Sequence, residues 1–367
     1  MNKVGFGFLR LPQIEENGVK RTDDEKLIRL VDKFLEMGGR YFDTAFTYLD
    51  GESERALKRT LVDRVPRQIY MVADKLPTWK VTDPADPERY FQEMLSRTGV
   101  EYFDVLLLHW LNPRIYEIAE KFGEFEFLAE KKAQGLAKEI GFSYHGDATL
   151  LEKILTEHPE VDVVQLQINY LDWEDYGIQA RLCYEVAERF RKRIVVMEPV
   201  KGGMLATLPA QAELLLRDRA PNSSLASWAI RFVESLENVS IVLSGMNSME
   251  QVLDNLQEHR PMSDGERMIL RKVCDILNES IAVPCTGCGY CTTGCPKHIP
   301  IPKIFQMYNG WFRNPGDDWK ITPAYASLVA GCGKASDCVS CHHCEINCPQ
   351  GIEITKWLKE AAKVLES

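Results

Sequence analysis

The chain has 367 residues, and its 44 lysine and arginine residues against 54 aspartate and glutamate residues give a formal net charge of −10. Because a single core usually stops growing at about 250–300 residues, this length predicts one large domain and one small one. The acidic balance argues against nucleic acid or an anionic membrane surface as a partner, and no apolar run approaches the ~20 residues that a membrane helix needs.

Up to residue ~260 the chain alternates between short β-branched apolar runs and longer amphipathic stretches. The apolar runs predict eight strands, at 4–11, 41–45, 69–75, 105–110, 138–143, 161–168, 193–200 and 239–245. The stretch 22–38 predicts a helix with Thr22 as its N-cap. Eight strand–helix repeats favour a closed (β/α)8 TIM barrel of α/β class, since the G-x-G-x-x-G of an open doubly wound sheet does not follow the first strand.

Polar side chains stand at or just after the ends of three consecutive predicted strands. They are Asp43, Tyr48, Lys75 and His109, here called the tetrad. The strands of a parallel barrel all end at one rim, so we expect these side chains to lie close together. Each has an ordinary explanation when taken singly, but chance placement at three successive strand ends is improbable.

The tetrad suits proton transfer to a carbonyl oxygen. A free tyrosine has a pKa near ~10, and an adjacent lysine ammonium would lower it. We expect Asp43 to hold Lys75 in place and Lys75 to acidify Tyr48. Tyr48 would then donate a proton as hydride reaches the carbonyl carbon, while His109 orients the same oxygen.

The motifs around the tetrad resemble those of the aldo-keto reductase family over roughly residues 4–258. The matching segments are "FDTAFTY" (42–48), "GESE" (51–54), "ADK" (73–75) and "LLLHW" (106–110). The resemblance implies a TIM barrel that binds NAD(H) or NADP(H) in extended form without a Rossmann motif. It also implies Tyr48 as the general acid/base, supported by the rest of the tetrad.

The same resemblance implies contacts to the nicotinamide end of the cofactor. It places Ser143 and Gln165 against the carboxamide, and Met197 where the family often has a stacking aromatic residue. Lys201 and Gly202 of "KGG" would approach the pyrophosphate; an ordinary glycine turn is the alternative.

At the adenosine end, the stretch 244–255 resembles the family's site. The residues implied there are Gly245, Asn247, Gln251 and Asn255. NADPH-preferring members carry a lysine or arginine in this loop, because a ribose 2′-phosphate needs a cationic partner. The stretch has none, which predicts use of NADH or weak discrimination.

Nine of the 11 cysteines fall between Cys285 and Cys348, and eight of them form two C-x2-C-x2-C-x3-C-P runs. This is the bacterial ferredoxin spacing, in which the fourth cysteine of each run ligates the other cluster. Two [4Fe-4S] clusters are therefore predicted, one on Cys285, Cys288, Cys291 and Cys348, the other on Cys338, Cys341, Cys344 and Cys295. Zinc is the alternative, but zinc sites need neither the third cysteine nor the proline. Cys332 lies outside the pattern and is not expected to be a ligand.

These patterns predict a barrel at 1–262, a connecting helix at 263–281 and a small, mostly helical, ferredoxin-like domain at 282–367. The whole chain resembles a subgroup of aldo-keto reductases with such a C-terminal domain. The start "MNKVGFGFLRLPQ" lacks a secretory pattern, so we expect a cytoplasmic protein.

Three interpretations of the combination stay open. In the first, the barrel interconverts a small carbonyl and an alcohol while the clusters relay electrons to or from a redox protein. In the second, the clusters are structural or sense oxygen in an ordinary carbonyl reductase. In the third, the chain is an electron-transfer subunit whose barrel docks a partner; a flavin in the barrel groove would fit this, but no flavin motif indicates one.

Overall fold

The computed structural model describes residues 2–16, 18–175, 178–257, 260–313 and 318–366. The chain forms two compact units, one of residues 1–199 and 226–262, the other of residues 200–225 and 263–367. Residues 200–225, which the sequence patterns place within the barrel, thus belong to the second unit. No helix in the described part of the chain has the length and apolar content to cross a membrane.

Ten strands are present in the described residues. They are β1 Val4–Gly7, β2 Gln13–Glu16, β3 Val19–Thr22, β4 Tyr41–Asp43, β5 Met71–Leu76, β6 Phe103–Leu111, β7 Ala137–Tyr144, β8 Val163–Gln167, β9 Arg193–Met197 and β10 Val239–Ser244. Eight of them close a parallel barrel in the order β1-β10-β9-β8-β7-β6-β5-β4, which confirms the predicted fold class. The other two, β2 and β3, form an antiparallel hairpin that the sequence patterns did not predict.

The helices follow the strands as a (β/α)8 fold requires. They are α1 Asp24–Glu36, α2 Glu52–Leu57, α3 Asp86–Thr98, α4 Pro113–Lys121, α5 Glu124–Ala133, α6 Ala148–Glu157, α7 Ala180–Arg189, α8 Ala210–Arg219, α9 Leu225–Glu234, α10 Met249–Asn255, α11 Asp264–Ser280, α12 Ile301–Arg313, α13 Asp318–Val329, α14 His343–Ile346 and α15 Ile354–Leu365.

Helix α1 shows how the amphipathic segments cover the sheet. Its buried residues Leu27, Leu30, Val31 and Phe34 recur every three or four positions and so form one apolar stripe. The predicted N-cap was wrong by one position. Thr22 ends strand β3, and Asp23 caps the helix instead by accepting a hydrogen bond from the Lys26 amide over 2.9 Å.

The inside of the barrel is filled by apolar side chains that alternate along the strands. This layer consists of Tyr41, Ala73, Val105, Leu107, Val163, Val195, Ile241 and Leu243. Gly141 allows β7 to lie close to β8, because a Cβ there would lie 1.9 Å from the Val163 carbonyl oxygen. The barrel is therefore a packed core, and only its rim is open to chemistry.

The second unit is built around a separate apolar core. Residues of α12, α13 and α15, among them Phe305, Tyr325 and Leu358, pack with Val283 and with the buried cysteines Cys291 and Cys344. Asn309 ties the chain before the first cysteine run to α12, since its side chain both donates to the Val283 carbonyl and accepts from the Val283 amide. The helix α8 of residues 200–225 packs against α11, which places that segment in this unit.

Candidate active site and cysteine clusters

The three tetrad residues that lie on strands form the next inward-facing layer of the barrel, on the carboxyl-terminal side of the apolar layer. Asp43, Lys75 and His109 each lie two residues after an interior residue, namely Tyr41, Ala73 and Leu107. Since side chains alternate between the two faces of a strand, all three point inward at the carboxyl ends of β4, β5 and β6.

Lys75 is the centre of the site. Its Nζ donates to Asp43 Oδ1 over 2.5 Å, to the Thr44 carbonyl oxygen over 2.7 Å and to Tyr48 Oη over 3.4 Å. The Lys75 side chain is 0% exposed. A buried ammonium with an anionic partner and two further oxygens is fully hydrogen-bonded, so it holds Tyr48 in a fixed position.

Tyr48 reaches the rim through a strained turn after β4. Leu49 and Asp50 both have left-handed backbone angles, with φ of 52° and 54°, and Gly51 follows at 78°. Left-handed non-glycine residues each cost about 1 kcal/mol or more. Ser53 anchors the turn, because its hydroxyl donates to the Phe8 carbonyl and pairs with Thr44 Oγ1 at 2.7 Å.

His109 is buried beside Tyr48, with ring centroids 5.6 Å apart. Burial, and then the charge of Lys75, hold the pKa of His109 well below its ordinary value, so the imidazole is neutral. Within the described residues its Nδ1 has no hydrogen-bond partner. A neutral ring with an unused polar nitrogen at the rim can hydrogen-bond a substrate oxygen.

Two tryptophans lie at His109, namely Trp110 of the motif "LLLHW" and Trp79, which the sequence patterns did not single out. Trp79 lies edge-on to the imidazole at 5.1 Å and to Trp110 at 5.3 Å. Trp110 sits in a bulge of β6 with φ of 70°, and its amide donates to Ser143 Oγ. The position of Trp79 just after the end of β5 was the available signal, since loops at this rim line the site.

The expectation that Lys75 lowers the pKa of Tyr48 is wrong for the protein as the structure shows it. Burial, followed by the negative charges of Asp43, Glu198 and Asp74, raises the pKa of Tyr48 well above its ordinary value. Loss of solvent is the largest cause, because a phenolate loses its hydration shell on burial. Tyr48 is therefore a neutral phenol across the physiological range, ready to donate a proton.

The residues expected at the nicotinamide end lie in the same inward layer. Ser143 and Gln165 are register partners on β7 and β8, both almost fully buried. Gln165 Oε1 has no hydrogen-bond partner among the described residues, and an orphaned buried acceptor of this kind fits a carboxamide N–H. Met197 ends β9 and packs partly on the apolar layer, where its thioether presents a soft surface to a ring.

At the expected adenosine end, two of the four predicted contact residues already make hydrogen bonds within the protein. Gln251 completes the capping box of α10 with Ser248, and its Oε1 also accepts the Asn247 amide over 2.7 Å. Asn255 is buried and donates to Ser244 Oγ. Gly245 and Asn247 are exposed in the loop before α10.

A cation that the sequence patterns missed lies beside this loop. A Cβ on Gly245 would lie 3.5 Å from Cβ of Arg10, which follows β1. Arg10 is separated from Gly245 by more than 200 residues, so no local pattern could have paired them.

Lys201 and Gly202, expected at the pyrophosphate, lie in the second unit. The Lys201 side chain is buried, and its Nζ donates to Gln350 Oε1 over 3.3 Å. Gly202 has φ of 67°, and a Cβ there would lie 2.2 Å from the Thr286 carbonyl oxygen. Only glycine fits this contact, so "KGG" is packed against residues that flank cysteines of both runs.

Each cysteine run contributes three residues to one cavity and the fourth to the other. A cavity of about 310 Å³, counting its open side, is lined by Cys285, Cys288, Cys291 and Cys348. A second of about 330 Å³ is lined by Cys338, Cys341, Cys344 and Cys295. Four thiols around one cavity are the donor set of an iron–sulfur cluster. Within the described ranges, no three His, Cys, Asp or Glu side chains come close enough to hold a single ion.

The two cavities differ in exposure. Cys341 at the second is exposed, whereas each of the four cysteines at the first is buried or half-buried. Burial raises the pKa of the Cys344 thiol to about 12, so a metal would have to displace its proton.

Cys332 lines neither cavity, and its Sγ lies 3.1 Å from the Leu328 carbonyl oxygen.

Comparison with known proteins yields two family matches. The Aldo/keto reductase family matches residues 3–270, and the 4Fe-4S dicluster domain matches residues 284–353. An aldo-keto reductase of Mycobacterium avium is 28% identical over 243 residues, which are 65% of this chain and 78% of the relative. The methylglyoxal reductase DkgA of Escherichia coli O157:H7 is 32% identical over 125 residues, 34% of this chain and 42% of the relative.

Solved structures resemble the barrel part. The holo form of aldo-keto reductase AKR11C1 from Bacillus halodurans superimposes with a TM-score of 0.59 and 25% identity, covering 74% of this chain and 91% of that one. An aldo/keto reductase from Klebsiella pneumoniae in complex with NADP and acetate gives a TM-score of 0.59 at 16% identity, covering 74% and 90%. The second likeness shows the fold alone.

Proposed function

Because the chain belongs to the aldo/keto reductase family and carries a 4Fe-4S dicluster domain, we propose that this oxidoreductase interconverts a small carbonyl and an alcohol, with two [4Fe-4S] clusters that relay electrons to or from a redox protein. The observation that carries the proposal is the buried contact of Lys75 with both Asp43 and Tyr48 at the barrel rim. NAD(H) or NADP(H) would supply hydride to the carbonyl carbon, or accept it in the reverse direction.

Tyr48 performs the proton transfer. In reduction its O–H bond breaks and a new O–H bond forms on the former carbonyl oxygen, which leaves a phenolate beside the Lys75 ammonium. In oxidation the phenolate takes the hydroxyl proton back. Asp43 keeps Lys75 charged and placed, and the neutral His109 hydrogen-bonds the reacting oxygen so that it faces Tyr48.

Ser143 and Gln165 would anchor the nicotinamide carboxamide. The Ser143 hydroxyl accepts the Trp110 amide and keeps its own proton for donation. Gln165 Oε1 is the complementary acceptor. Met197, at the end of β9, would pack on the ring face. Gly245, Asn247, Gln251 and Asn255 would border the adenosine.

The arrangement of the second unit supports the electron relay. Each [4Fe-4S] cluster exchanges one electron at a time, whereas a nicotinamide exchanges two. The more exposed cysteine set is flanked by Val339 and Ile346, whose side chains are 56% and 51% exposed. An exposed apolar rim beside an electron carrier suits a transient redox partner. Cysteine-ligated clusters persist in a reducing compartment, so we place the protein in the cytoplasm.

Anaerobic purification followed by rapid mixing tests the proposal. We expect about eight iron and eight sulfide per chain, and loss of cluster absorbance when NADH or NADPH is mixed with the protein. Carbonyl turnover without any loss of cluster absorbance would contradict electron relay through the clusters. The interpretation in which the clusters are structural or sense oxygen would then be favoured. Loss of absorbance without turnover of any carbonyl would contradict the reductase and favour an electron-transfer subunit.

A further inference from the structure

Two carboxylic acids that the mechanism does not use lie directly behind the tetrad. Glu54 is on α2, and Asp74 is on β5 next to Lys75; both side chains are 0% exposed. The two carboxyl groups are within hydrogen-bonding reach of each other. Two buried carboxylates this close would repel strongly, so the contact needs a physical explanation.

Each of the two acids uses one oxygen and leaves the other without a partner. Glu54 Oε2 accepts from Arg97 Nη1 over 2.8 Å, and Asp74 Oδ1 accepts from the Lys75 amide over 2.8 Å. Glu54 Oε1 and Asp74 Oδ2 have no hydrogen-bond partner in the part of the chain that the structure describes. A single proton between these two oxygens would satisfy both.

We propose that Asp74 carries a proton at neutral pH and donates it in a hydrogen bond to Glu54, and that this pair is a positioning element for Lys75. The shared proton rests on the contact of the two acids and on their two unpartnered oxygens, whereas the positioning role rests on the proposed function. The donor is Asp74 because Glu54 has the Arg97 guanidinium as a counter-charge.

The surrounding charges balance only when the proton is present. Glu54 faces Arg97 and Glu93 of α3, while Asp74 faces Lys75 of its own strand and Asp43 of β4. With Asp74 neutral, Asp43 balances Lys75 and Glu54 balances Arg97. Burial accordingly raises the pKa of Asp74 well above its ordinary value and also raises that of Glu54, which the Arg97 guanidinium lowers again.

The proton has a consequence for Tyr48. The negative charge of an ionised Asp74 raises the pKa of Tyr48 and makes it a weaker acid. Neutral Asp74 removes that charge, so Tyr48 donates its proton more readily. When alkaline pH takes the proton from the pair, reduction should slow.

The substitution Asp74→Asn tests the shared proton, because the asparagine amide can donate a hydrogen bond to Glu54 Oε1 but has no proton that it can lose with rising pH. We expect the infrared band of a buried protonated carboxyl in the native holoprotein at neutral pH and its loss in this variant. Asp63→Asn, at a half-exposed side chain, is the matched control and should keep the band. A native spectrum without the band, or a band unchanged in Asp74→Asn, would overturn the proposal.

Thermal unfolding provides a second measurement. The unfolded chain releases the Asp74 proton above about pH 4, whereas the folded chain retains it, so native stability falls as pH rises toward the raised pKa. Asp74→Asn removes this dependence. Its melting temperature should exceed the native value by a margin that grows between about pH 5 and pH 8; a margin independent of pH would contradict the shared proton.

The positioning role has its own measurement. In Asp74→Asn the alkaline fall in the carbonyl reduction rate should move to higher pH, which a merely structural residue would not cause. An unmoved profile would overturn the positioning role. If the native protein reduces no carbonyl compound, the proposed function is wrong. The infrared band would still show whether Asp74 and Glu54 share a proton.

Discussion

The ammonium of Lys75 lies 2.5 Å from the carboxylate of Asp43, and the two side chains are only 0% and 4% exposed. Burial raises the pKa of Asp43 while the Lys75 charge lowers it, so the carboxylate depends on its partner to stay ionised. The contact between Asp43 and Lys75 thus neutralises two buried charges, and it also holds the Lys75 ammonium next to Tyr48 Oη.

Replacement of Lys75 by methionine should therefore destabilise the protein as well as stop proton transfer. An unpaired buried charge costs about 3–5 kcal/mol, which urea unfolding will measure. The double variant Asp43→Asn with Lys75→Met should recover much of that loss and none of the activity. A Lys75→Met variant as stable as the native protein would show that the pair is not ionised.

Tyr48→Phe should remove carbonyl reduction and leave the fold intact. A positioned proton donor contributes about 10²–10⁴-fold, so we expect a loss of that size in kcat at unchanged dinucleotide affinity. Tyr184→Phe is the control, because that hydroxyl donates to Glu188 within the outer helix α7 and is not part of the tetrad. Retained turnover in Tyr48→Phe would contradict the assignment of the proton donor.

The pH profile of reduction should be nearly flat through neutrality. His109 is neutral because its pKa is lowered, and Tyr48 is protonated because its pKa is raised, so neither group titrates between about pH 6 and pH 9. The rate should fall only as Tyr48 or the Asp74–Glu54 pair loses its proton. Initial rates with saturating dinucleotide will measure this, and a midpoint near neutrality that Asp74→Asn does not move would mean that a bound group lowers the Tyr48 pKa.

Paired cysteine substitutions distinguish crossed from sequential cluster ligation. If Cys285 and Cys348 hold the same cluster, the double variant Cys285→Ser with Cys348→Ser should keep about half of the iron. Sequential ligation would make the same variant lose both clusters. Cys332→Ser, outside both cavities, should keep all of the iron.

The loop before α10 predicts that NADH is used at least as well as NADPH. No lysine or arginine occurs in the stretch 244–255, and a 2′-phosphate needs a cationic partner. The ratio of the kcat/KM values for the two dinucleotides will measure this preference. A strong NADPH preference would contradict the prediction, and Arg10→Gln would then show whether Arg10 supplies the missing cation.

Much of the site could be predicted because it depends on short-range geometry. The two-residue period of a strand places Asp43, Lys75 and His109 directly above interior residues, and parallel strands bring their ends to one rim. The cysteine spacing likewise predicts the crossed arrangement, because in runs of this kind the first three cysteines, each separated by two residues, hold one cluster and the fourth ligates the other.

What could not be predicted depends on residues far apart in the chain. The pKa of Tyr48 reflects its burial and the charges of Asp43, Asp74 and Glu198, and no window of sequence contains that sum. The contact of Glu54 with Asp74, and the packing of Gly202 against Thr286, arise only when distant segments meet.

The amino-acid sequence by itself therefore determined the barrel, the inward direction of the tetrad residues on its strands and the two sets of cysteines, since local periodicity and spacing control where a side chain points. Only the tertiary structure decided the burial that shifts the pKa values of the inner acids and of Tyr48, and the unit to which residues 200–225 belong. The physical reason is that desolvation and long-range contact are properties of the folded chain as a whole.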